Sequence, residues 1–165
     1  MSMIGNYRRV SLEELSRLRE NPESISDFLY SETEQAPPAG RRLDIDKTWH
    51  AIHFLLTGSS WEGSYPLVCV VMGGESIGTQ DVGYGPARFL TPAEVKDVAN
   101  SLDEISVSDL LERYDPDALN AEEIYPQGWS DAEEERKYIG QYYSQLTEFF
   151  RKAAHADDAM LVYLN

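Results

Sequence analysis

His50 and His53 are the first side chains whose type and spacing could do chemistry. On a helix, three residues of separation bring two imidazoles to one side, where they could grip a metal ion or move a proton. Zinc sites take three or four protein ligands, and nothing in the sequence brings a third ligand to this pair. His53 shares its helical face with Trp49 and Leu56. The simpler expectation is therefore a core histidine satisfied by one hydrogen bond. Gly74-Glu75-Ser76-Ile77-Gly78 has the spacing of a nucleophile elbow. An elbow needs a helix directly after its serine, and Thr79 to Pro86 is too rich in glycine and proline to form one. His155 alone comes late enough to complete a triad, and it falls at the exposed end of a helix. The same glycines precede no Gly-Lys-Ser/Thr and lack the third glycine of a dinucleotide fingerprint. No cofactor and no metal are expected. Carboxylates are so plentiful that no acid–base pair can be singled out.

One constellation survives. Trp49, His50, His53, Tyr84, Arg88, Glu123, Tyr125 and Trp129 combine aromatic walls with a few polar heads. That is the chemistry of a ligand pocket or of a protein-binding hot spot. In a pocket, His53 or Glu123 would exchange protons and Arg88 would anchor an anion. The plainer alternative is that Trp49 and Tyr125 complete the core while Arg88 pairs with an acid.

Caps and periodicity give the elements that must carry these residues. Met3 to Val10 reads as a strand. Ser11-Leu12-Glu13-Glu14 is a capping box opening a helix, and Asn21-Pro22 restarts one that buries Ile25, Phe28 and Leu29. Residues 31–42 are loop. Asp44 or Asp46 caps the next helix, where Ile45, Trp49, Ile52, His53 and Leu56 share a face, and Thr57-Gly58 ends it. The apolar run Leu67 to Met72 is predicted to be the central buried strand. Residues 73–86 form a long irregular segment before a short strand at 87–90. Thr91-Pro92-Ala93-Glu94 is a second capping box, residues 106–114 a short helix, and Asp115-Pro116 caps a further turn. Residues 124–129 make an aromatic loop. Ser130-Asp131-Ala132-Glu133 is a third capping box, opening the longest helix with Tyr138, Tyr142, Leu146, Phe149 and Phe150 inward. Residues 159–164 close the sequence as a strand tied into a sheet. The expected class is α+β, with one domain over residues 1–165. It would have a small mixed or mainly antiparallel sheet of about three to five strands, packed with about six helices.

Charge is the strongest bulk signal. Fourteen basic residues stand against 29 acidic ones, a formal net charge of −15. Residues 91–165 hold 6 basic and 17 acidic side chains, a net of −11 in that segment alone. Such a field repels phosphate backbones and anionic lipid, and it speeds encounter with a basic protein partner. No apolar run approaches the roughly 20 residues of a membrane span. With no secretory leader and Cys69 as its one cysteine, set among valines, a reducing cytoplasmic setting is expected.

Residues 43–58, from Leu43-Asp44-Ile45-Asp46 through Trp49-His50-Ala51-Ile52-His53 to Thr57-Gly58, resemble the hallmark of the YfbM-like family. Met3-Ile4-Gly5, Gly83-Tyr84-Gly85-Pro86-Ala87-Arg88 and Glu123-Ile124-Tyr125-Pro126 are similar to it as well, in order along the chain. The resemblance implies a bacterial, cytosolic α/β protein of one domain and carries no activity. Two uses come ahead of a purely structural subunit with neither ligand nor catalysis, the first of them preferred. One is a binding module for a basic protein partner, in an immunity-like or adaptor role. The other is a small-molecule pocket built from the 44–57 helix and the 73–88 and 123–129 loops.

Overall fold

The computed structural model describes residues 1–31 and 39–165; the centre of the predicted 31–42 loop lies outside them. Strand β1 (Gly5–Val10) turns Tyr7 to one side of the sheet and Arg8 and Val10 to the other. Ser11 then caps α1 (Leu12–Glu20): its hydroxyl accepts the Glu14 amide, and the Glu14 carboxylate accepts the Ser11 N–H. A 3₁₀ turn at Pro22–Ser24 leads into α2 (Ile25–Tyr30), which buries Ile25 and Leu29. Phe28 stays half-buried beneath the Arg8 guanidinium, 3.8 Å from the ring centre.

Strand β2 (Arg42–Asp44) pairs with β1 inside the segment read as loop and helix cap. Three residues with only Leu43 half-buried carry no usable alternation. The Asp44 carboxylate accepts the Asp46 amide, and a 3₁₀ turn feeds α3 (Trp49–Thr57). Gly58 at φ 76° ends that helix in the left-handed region, as Thr57-Gly58 predicts.

The run from Leu67 corrects the sequence reading. Leu67–Val70 is a 3₁₀ turn, not a strand, with Cys69 and Val70 buried and Leu67 and Val68 half-buried. An unbroken apolar run reports burial and not backbone geometry. Its carbonyls find side-chain partners instead of a ladder. The Tyr7 hydroxyl donates to Val70, and Arg88 donates to Val71 and Gly73.

The chain continues through β3 (Glu75–Ser76), β4 (Arg88–Leu90), α4 (Pro92–Asp103), α5 (Val107–Glu112) and α6 (Pro116–Ala121). It finishes with α7 (Glu133–His155) and β5 (Ala159–Leu164). Thr91 with Glu94 and Ser106 with Asp109 form complete capping boxes, and Asp115 caps α6. The third predicted box is not formed. Ser130 and Asp131 stay outside the helix, and Ala132 at its N-cap has no side-chain oxygen. Glu135 reaches back instead, accepting the Ser130 amide and the Tyr114 hydroxyl. Ile139 and Tyr143 are fully buried on α7 beside Leu146, Phe149 and Phe150, while Tyr138 and Tyr142 are half-buried.

The sheet order is β2-β1-β5-β4-β3, antiparallel at every pairing. β5, and not the 67–72 run, is the central strand. Met160 and Val162 enter the larger apolar cluster with α3, α4 and α7. Ala159, Leu161 and Tyr163 enter the smaller one with α1 and α2. With seven α-helices among the described residues, the molecule is α+β, as the sequence indicated.

Candidate functional site

Helix α3 is buried on almost every side, from Trp49 to Leu56. The Trp49 indole N–H donates to the Met3 carbonyl at 3.0 Å, fixing the ring against the start of the chain. Tyr125 stacks on that ring at 5.5 Å, and His50 stacks on it at 4.9 Å with planes 10° apart. Trp61 covers His50 at 4.4 Å. Tyr125, Trp49, His50 and Trp61 thus form one aromatic column running outward from the core. Trp49 is 1% exposed and Trp61 is 62% exposed.

Both imidazoles are committed to backbone. His50 accepts the Tyr125 amide on Nδ1 at 2.9 Å, so its proton sits on Nε2 and is donated to the Ser60 carbonyl at 2.8 Å. His53 Nε2 donates to the Glu62 carbonyl at 3.0 Å. Its Nδ1 is buried and has no hydrogen-bond partner among the described residues. Burial lowers the His50 pKa. It pulls His53 down to about 4, with the His50 and Arg88 charges adding to the effect. At neutral pH both rings are uncharged donors, which makes the pair a clamp on the 59–62 loop. Among the described residues, no group of three or more His, Cys, Asp or Glu is placed to hold a metal ion.

The other predicted site residues fall elsewhere. Tyr84 is carried against the end of β5, its amide donating to the Leu164 carbonyl. It makes no ring contact with the column among the described residues. Arg88 points inward to the carbonyls of Val71 and Gly73. Glu123 is exposed, at φ 53°, in the turn after α6. Trp129 is buried edge-on to Tyr114, with its indole N–H donating to the Ile124 carbonyl.

Trp129 instead forms part of a second feature, an open cleft of about 700 Å³ between residues 112–117 and 129–131. Glu112, Asp115, Asp117 and Asp131 contribute four carboxylates to its lining. Two cations offset part of this charge: Arg113, which also lines the cleft, and Arg136. Arg113 donates to the Leu55 carbonyl, and Arg136 pairs with Asp131 while lying over the Tyr114 ring. The sequence reading missed Trp61 and the 112–117 wall of this cleft. The available signal for Trp61 was a tryptophan stranded among Gly58, Ser59, Ser60, Gly63 and Ser64, within reach of two helical histidines.

Fold and site together define a small α+β protein on an all-antiparallel sheet, with its histidine pair turned to backbone carbonyls. The family model described as "Domain of unknown function (DUF1877)" matches residues 1–163, and the chain belongs to that family. Protein YfbM of Escherichia coli (strain K12) is 30% identical over 130 residues, covering 76% of this chain and 74% of that protein. The crystal structure of YfbM from Escherichia coli, described as a protein of unknown function, matches with a TM-score of 0.72 and 26% identity. That match covers 98% of this chain and 99% of the other. The family resemblance read from residues 43–58 and its companion segments holds.

Proposed function

We propose that the chain is a binding module whose acidic face docks a basic protein, seated in the cleft between residues 112–117 and 129–131. One observation carries this reading: Glu112, Asp115, Asp117 and Asp131 outnumber the cations at an open cleft, where Arg113 also lines the wall and Arg136 pairs with Asp131. Carboxylates focus a negative potential in a concave surface and steer a cationic partner toward it. The net charge of −11 over residues 91–165 extends the same field beyond the cleft. The neutral, hydrogen-bonded state of His50 and His53 favours docking over turnover.

The test uses a labelled oligolysine peptide and stopped-flow association. The on-rate for the unmodified protein is expected to fall by about tenfold between roughly 20 and 200 mM salt. The double variant E112K/D117K, which leaves the Asp115 cap intact, should bind several-fold more weakly. A charge-matched control, E20K/E23K, places the same change on α1 and the turn after it. Equal responses in the two variants would reject the cleft as the seat.

A further inference from the structure

We infer that Trp61 is the seat for an arginine side chain of that basic partner, a reading that rests on the docking role proposed above. Trp61 is 62% exposed, yet its backbone is pinned on both sides and its ring is backed by His50. The carbonyl before it, on Ser60, and the carbonyl after it, on Glu62, each receive an imidazole N–H from α3. The His50 ring backs the indole at 4.4 Å. Two histidines three apart on a helix thus hold two carbonyls two apart on a loop. The residue between those carbonyls is turned outward. Fixing an aromatic side chain before a partner arrives removes ordering cost from binding, which is how a hot spot differs from an accidental exposed ring.

The surroundings select the occupant. Ser60 Oγ donates to the Glu122 carboxylate at 3.1 Å, which brings the turn after α6 against the Trp61 loop. Residues 58–66 and 121–129 together carry Glu62, Glu122 and Glu123 and contain no lysine or arginine. An exposed indole carried on one of two loops whose only charged side chains are carboxylates matches a guanidinium. That group stacks flat on an aromatic ring while its edge donates to carboxylate. A lysine ammonium is more strongly hydrated and stacks less well. His50 accepts a backbone amide on Nδ1, so the ring behind Trp61 is uncharged and does not repel a cation. The same stretch of chain runs from Glu122, bonded to Ser60 next to Trp61 in sequence, to Trp129 in the acidic cleft. One extended basic segment could reach both.

Equal-length labelled oligoarginine and oligolysine peptides test this by fluorescence anisotropy at fixed salt. The unmodified protein is expected to bind the arginine peptide about threefold to tenfold more tightly than the lysine peptide. W61A should abolish that preference while leaving the lysine affinity within about twofold of its starting value. W61F should keep part of the preference. E122Q/E123Q, which leaves the ring untouched, should reduce it independently. An arginine preference that survives W61A overturns the seat and leaves the docking role standing. Absence of salt-sensitive binding by either peptide to the unmodified protein overturns the docking role, and this seat with it.

Discussion

His53 ties one ring nitrogen to the Glu62 carbonyl and buries the other without a partner among the described residues, so protonating it in the folded state is unfavourable. Its folded pKa is pulled to about 4, against 6.5 when unfolded, and that of His50 is lowered as well. Between these values the unfolded chain binds protons that the folded chain refuses. Stability is therefore fully present above pH 6.5 and is lost as the pH falls toward 4. The loss from His53 should reach at most about 3 kcal/mol, read as the shift in urea midpoint between pH 7 and pH 4.5. His53→Gln should flatten that dependence. A profile equally steep in the variant would assign the acid sensitivity to other groups. Trp49 tests the buried middle of the column. Trp49→Ala removes the Met3 bond and both stacking partners, with an expected cost of about 3 to 5 kcal/mol in equilibrium unfolding.

At the scale of elements, the caps are the cleanest wagers. Thr91→Ala and Ser11→Ala each remove a hydroxyl that accepts an N3 amide, and each should cost about 1 kcal/mol in thermal unfolding. Glu135→Ala should also destabilise, because Glu135 now serves the Ser130 amide and the Tyr114 hydroxyl at the start of α7. These contrasts show what the sequence made legible. Boxes at Ser11 and Thr91 were readable because cap and acid are local to one turn. The Ser130 box misled because a fitting pattern says nothing of where the backbone first turns helical, and a more distant carboxylate took the role. Leu67–Val70 misled for a related reason: composition reports burial, whereas the strand position was decided by β5 pairing with β1 and β4. Trp49, His50 and Tyr125 were read as a group and do meet. Trp61 was not, because a ring that folds back from the loop after α3 onto His50 near the helix start leaves no periodic trace.

At the scale of the molecule, a formal charge of −15 on 165 residues loads the folded state with self-repulsion. Raising salt from about 20 to 200 mM at pH 7 should therefore raise the melting temperature by a few degrees, the opposite of its effect on partner association. A flat or falling melting temperature would mean that local ion pairs, such as Arg9 with Asp158, outweigh the net field. The order of strands has a consequence for how this polypeptide is made. β1 and β4 sit on either side of β5, and β5 is the last of the five strands to leave the ribosome. Until then the nascent product carries two bare edges that cannot satisfy one another. Synthesis halted before residue 159 would release a fragment primed for mispairing and in need of chaperones or proteolysis.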